Sequence, residues 1–167
     1  YRASETDNIE AMNNLIEWLP KNIPSDDATS IVHGDFRLDN MIYKNNEVIG
    51  VLDWELSTLG HPVADLSYHC LTWRTEPIFY DHPKLKELGV PNEIEYRDMY
   101  SESTGQDLSE NWEYYMAFNI FKVAAICQGI LGRVRDGTAA NKHAEERGMK
   151  VYPLSEGAWS IVENNFK

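Results

Sequence analysis

His33-Gly34-Asp35-Phe36-Arg37-Leu38-Asp39-Asn40 is the stretch on which the reading of this chain turns, with Ile49-Gly50-Val51-Leu52-Asp53-Trp54-Glu55 close behind it. Ile31-Val32 leads in as a short apolar strand. Met41 to Lys44 and Glu47 to Leu52 follow as two β-prone runs separated by Asn45-Asn46. Asparagine tolerates the positive φ of a two-residue turn, so these runs predict a hairpin closed at Asn45-Asn46. Strict pairing from that turn sets Lys44 opposite Glu47, Ile42 opposite Ile49, Asn40 opposite Val51 and Leu38 opposite Asp53. Side chains alternate faces along a strand, so Asn40 and Asp53 are expected on one face, diagonally about 7–8 Å apart. Asp35, in the loop just upstream, adds a second carboxylate beside them.

That grouping has a chemistry. Mg²⁺ takes oxygen ligands at about 2.0–2.1 Å and prefers one or two carboxylates together with phosphate oxygens and water, which Asn40 and Asp53 suit. A hydroxyl nucleophile needs a carboxylate to orient it and accept its proton, and a transferring phosphoryl group needs cations around it. Asp35 and Arg37 can fill those roles.

The same residues carry a resemblance. His33 to Asn40 resembles the catalytic loop of the aminoglycoside and choline phosphotransferases, itself similar to the protein-kinase loop H-R-D-x-x-x-x-N, with the Asp-to-Asn spacing kept. Ile49 to Glu55 is similar to that family's metal-binding segment. Gly60-His61-Pro62-Val63-Ala64-Asp65-Leu66 is similar to its G-D-P-x-x-D-L element, with His61 where Asp is commoner. A looser likeness joins Ala124-Ala125-Ile126-Cys127-Gln128-Gly129-Ile130 to phosphotransferase-like domains related to those fused to acyl-CoA dehydrogenases. The resemblance implies an α+β, mainly helical C-terminal lobe of a protein-kinase-like fold, with a β-hairpin carrying the catalytic and metal-binding segments. It implies ATP and Mg²⁺ as cofactors and a small-molecule hydroxyl as acceptor. Asp35 becomes the catalytic base, Arg37 the cation toward the γ-phosphate, and Asn40 and Asp53 the metal and nucleotide ligands. His33 and Asp65 become the structural brace of the loop.

No glycine-rich phosphate loop, strand lysine or partner glutamate accompanies these motifs. Residues 1–167 are therefore expected to be one catalytic C-lobe cut from a longer protein, its start Tyr1-Arg2-Ala3-Ser4 being no natural initiator, with the N-terminal nucleotide-binding lobe as its missing partner. The surface around residues 31–54 is then expected to be apolar, exposed and open to self-association. The fragment alone is expected to be inactive.

Composition narrows the rest. Fifteen Lys and Arg against 27 Asp and Glu leave a formal charge of −12, which disfavours a nucleic-acid surface. No run approaches the ~18 consecutive apolar residues of a membrane span, so no membrane partner is expected. Cys70 and Cys127 suggest neither a metal knuckle nor a disulfide scaffold, and a reducing cytoplasm fits. Residues 75–110 hold nine acids against three bases; a cationic acceptor is one reading, a solvated face the plainer one. His61, His69, His82 and His143 lack the spacing of a zinc site. Gly34-Asp35 followed by Leu38 fails the G-D-x-x-D metal pattern of phosphoesterases. A pseudokinase-like binding or scaffold module is the alternative from a different functional class.

Periodicity places the helices. Ile9, Met12, Leu15, Ile16 and Leu19 follow helical spacing up to Pro20. A buried helix is expected from Pro62 to about Trp73, another near Glu93 to Ser103, and the longest from Leu108 to Val134. In that last one Trp112, Tyr115, Phe118, Phe121, Ala125 and Ile126 are expected to share a buried face. A final helix is expected between Ser155 and Asn164, opening at Ser155 and Glu156.

Overall fold

The computed structural model describes residues 1–25, 28–79, 87–108 and 110–166. His82 and Pro83, with part of the acidic stretch, lie outside the described residues. Helices α1 (Glu10–Trp18), α2 (Pro62–His69), α3 (Leu71–Phe79), α4 (Glu93–Thr104), α5 (Trp112–Arg135), α6 (Ala144–Gly148) and α7 (Val151–Asn165) make up about half of the chain. Four short strands, β1 (Ser30–Val32), β2 (Met41–Lys44), β3 (Glu47–Val51) and β4 (Thr58–Gly60), lie between α1 and α2.

The core is built around α5. Trp112, Met116, Ile120, Ala124, Cys127 and Leu131 recur at three- and four-residue steps and are buried, which is the stripe a helix needs to pack on several neighbours. It packs against α2, α6 and α7, and α7 in turn holds α1. The expected buried face was misplaced by about one side chain: Phe118 and Ile126 are exposed, while Met116 and Ala117 are completely enclosed. Aromatic size drew that reading toward Phe118, yet a central helix touched on several sides buries small residues where neighbours come closest. Gly148 is such a contact, since a Cβ there would lie 2.9 Å from the Cβ of Leu131. By length and mean hydropathy α5 is also apolar enough to cross a membrane, although polar and charged residues interrupt its apolar run. Half of that stretch is buried in the protein core.

Polar side chains stitch distant parts together. Gln128 donates to the carbonyl of Ser4 and to the hydroxyl of Thr6, both at 2.7 Å. Arg135 pairs with Asp7 at 2.7 Å, and the Tyr152 hydroxyl donates to the same carboxylate. Arg74 of α3 bridges Glu93 of α4 and Glu113 of α5, and the indole N–H of Trp112 donates to Glu93 at 2.8 Å. Cys70 and Cys127 are unpaired and buried, and burial pushes their thiols up to about 12 and about 11.

β2 and β3 close at Asn45 and Asn46, both at positive φ (52° and 62°), and Lys44 pairs with Glu47. Beyond Tyr43–Val48 the register slips, so Ile42 faces Gly50 and Met41 faces Val51. The pairing of Ile42 with Ile49 and of Asn40 with Val51 is thereby corrected: one extra residue on β3 forms a bulge. Helix ends differ too. α3 continues through Pro77 to Phe79, α6 was not anticipated, and α7 starts at Val151 with Ser155 buried inside it. β1 pairs antiparallel with β4, which brings the two ends of the 33–57 segment together.

Candidate active site

The loop after β1 is shaped by what its backbone touches. Gly34 has φ 86°, and a Cβ there would stand 2.6 Å from the carbonyl oxygen of Leu56, so only glycine fits. The Asp65 carboxylate, in the first turn of α2, accepts the backbone N–H of Gly34 at 2.8 Å and that of His33. His33 is buried. Its Nδ1 accepts the N–H of Asp35 at 3.2 Å, which leaves the proton on Nε2 to donate to the carbonyl of Leu52 at 2.8 Å. The imidazole thus ties the loop to the end of β3, one residue before Asp53.

Asp35 is held on both carboxylate oxygens. Oδ1 accepts the Tyr68 hydroxyl at 2.7 Å, and Oδ2 accepts Asn40 Nδ2 at 2.9 Å with Arg37 Nε 3.4 Å away. Asn40 Nδ2 also donates to the carbonyl of Asp35 at 2.9 Å, so its amide is oriented with Oδ1 left over. Burial, and then the bond to Asp35, push the Tyr68 phenol well above its usual range, which keeps it a proton donor. Lys122 of α5 donates to the carbonyl of Gly34, its ammonium 4.6 Å from the centre of the Tyr68 ring.

Asp53 stands apart. It is exposed, has φ 65° in the left-handed region, and precedes the short 3₁₀ turn Trp54–Leu56 without capping it. The N–H of Leu52 donates to the carbonyl of Asn40 at 2.8 Å, so Asp53 lies one residue past the backbone link to Asn40. The two do not share a face through strand alternation as expected. Any convergence rests on the left-handed turn at Asp53. Asn40 Oδ1 and the Asp53 carboxylate are hard oxygen donors, and among the described residues no three His, Cys, Asp or Glu side chains form an ion-binding group. Such a sparse set fits an ion that keeps phosphate oxygens and waters in its shell.

His61 caps α2 by accepting the N–H of Val63 at 3.2 Å, the service an Asp at that position would give, and stacks on Tyr115. Tyr68 and Lys122 escaped the sequence reading. Tyr68 lies three residues after Asp65 on the same helical face, a signal that was available, whereas nothing local points from Lys122 to a loop 88 residues away.

The sequence pattern of the phosphotransferase enzyme family, APH, matches residues 1–109. The chain belongs to that family. It is 44% identical over 169 residues to acyl-CoA dehydrogenase family member 10 of Mus musculus, covering 97% of this chain and 16% of that protein. It is 36% identical over 173 residues to acyl-CoA dehydrogenase family member 11 of Homo sapiens, covering 99% of this chain and 22% of that one. A solved protein of Ralstonia eutropha JMP134, provisionally described as an aminoglycoside phosphotransferase, superposes with a TM-score of 0.89 at 44% identity, over 98% of this chain and 52% of its own. This phosphotransferase-family chain therefore has the mainly helical, kinase-like fold that the motifs implied, and spans about half or less of these relatives.

Proposed function

We propose that the parent protein is an ATP-dependent kinase that moves the γ-phosphoryl group to a hydroxyl of a small molecule. One observation carries this reading: the Asp35 carboxylate is held on both oxygens, in a loop whose backbone Asp65 fixes, beside Arg37 and Asn40. Asp35 orients the acceptor hydroxyl and takes its proton as the oxygen bonds to the γ-phosphorus and the bond to ADP breaks. The Arg37 guanidinium meets the charge on the transferring group. Asn40 Oδ1 and the Asp53 carboxylate would hold Mg²⁺, which supplies charge neutralisation at the ATP phosphates. His33 and Asp65 keep the loop in register with β3 and α2.

Ile31, Leu38, Val48, Ile49, Leu56 and Leu59 are more than half exposed, and Leu52 and Trp54 nearly so. So much apolar surface between residues 31 and 59 supports a covering N-terminal lobe that completes the nucleotide site. The length of the relatives leaves room for one.

The test uses the parent protein with MgATP and hydroxyl acceptors of several classes, following ADP release. Asp35→Asn is expected to lower turnover roughly 10²- to 10⁴-fold with little change in MgATP affinity. Asp53→Asn is expected to weaken MgATP binding instead. Mild, equal effects of both overturn these roles, and MgATP binding without ADP release for any acceptor class marks the pseudokinase-like module.

A further inference from the structure

We infer that Tyr68 and Lys122 form a clamp, carried by two helices, that sets the side-chain conformation of Asp35, making both positioning residues for phosphoryl transfer. This rests on the role proposed for Asp35. An aspartate in a loop has two rotatable side-chain bonds, and a base that samples several rotamers spends little time aimed at its proton. Here one oxygen is engaged from within the loop, by Asn40, and the other only from outside it, by the Tyr68 hydroxyl at 2.7 Å. Removing Tyr68 leaves the carboxylate tethered on one side.

Lys122 fixes Tyr68. Its ammonium stands 4.6 Å from the ring centre while donating to the carbonyl of Gly34, so one cation spans the phenol and the loop that the phenol serves. Among the described residues Lys122 has no carboxylate partner. The ring face and the carbonyl therefore carry the stabilisation of a partly buried charge, an arrangement that strengthens as water is excluded. The platform beneath is fixed as well. Asn119, one helical turn before Lys122, donates to the carbonyl of Ala64 at 2.9 Å and to the Ser67 hydroxyl at 2.8 Å, which seats α2 on α5. Asp35 is thus aimed by the core of the lobe.

The experiment compares the parent protein with Tyr68→Phe, Lys122→Met, Lys122→Arg and the Tyr68→Phe/Lys122→Met double variant. Expected are a kcat roughly 10- to 100-fold lower for Tyr68→Phe, KM for ATP within about twofold of the parent, and unchanged melting. Lys122→Met should fall in the same direction, Lys122→Arg should recover most of the loss, and the double variant should be no worse than Tyr68→Phe. Crystal structures of the parent and the Tyr68→Phe protein give a readout that needs no activity: one Asp35 rotamer in the first, several or a different one in the second. An active parent whose kcat ignores Tyr68→Phe overturns the clamp, and so does an unchanged Asp35 rotamer. A parent that transfers no phosphate to any acceptor overturns the kinase reading instead, and the clamp is then decided by the two crystal structures.

Discussion

Asp53 adopts a left-handed backbone conformation where glycine would sit without strain, and its carboxylate caps nothing. An aspartate in that region costs about 1 kcal/mol relative to glycine, and no capping bond of its own offsets the cost. Asp53→Gly is therefore expected to raise stability by roughly 1 kcal/mol in urea unfolding of the parent, while weakening MgATP binding. A loss of stability would show that the carboxylate has a structural partner after all. At this scale the sequence was informative where spacing alone defines the geometry. Asp35, Arg37 and Asn40 sit in one short loop, while the tie from Asp65, in the first turn of α2, followed from the family resemblance and not from spacing. Tyr68 carried a local signal in its spacing from Asp65, whereas Lys122 was hidden because its reach to Gly34 depends on how α5 packs beside the loop, which no local pattern encodes.

Among elements, the junction of α3, α4 and α5 depends on Glu93. Burial alone would push this carboxyl up, but the bonds from Arg74 and Trp112 outweigh it and hold Glu93 below its ordinary value of 4.5. A depressed folded value means the contribution is fully present above 4.5 and is lost as pH falls through the folded value. Thermal unfolding of the parent from about pH 5 to about pH 3 is expected to show a steeper decline than that of Glu93→Gln, which begins less stable and changes less. Parallel curves would remove Glu93 from the acid response. Element existence was largely legible: the Asn45-Asn46 turn, α1, α4 and α5 follow from turn chemistry and periodicity. The bulge at Ile49 was not, because Val48 to Leu52 is apolar throughout and carries no alternation for an inserted residue to break. α6 is a five-residue helix whose Gly148 is needed for contact with Leu131, and a propensity reading takes that glycine as a break.

Across the whole molecule, residues 1–167 alone are expected to fold yet give no measurable ATP turnover beside the parent, since phosphoryl transfer depends on closure around the nucleotide. The isolated chain is also expected to associate reversibly in sedimentation. Ile31→Lys with Leu59→Glu, which face each other across β1 and β4 as an opposite-charge pair, should abolish that association with little change in the melting temperature. Equal turnover in chain and parent would refute the missing-lobe reading. The ties between Ser4 and Gln128 and between Asp7 and Tyr152 join positions 124 and 145 apart. On the ribosome, α1 therefore emerges long before α7, the surface it rests on, exists. Ile9, Met12 and Leu15 stay bare on the nascent chain until α7 is made, so within this lobe they are the stretch a chaperone would hold longest.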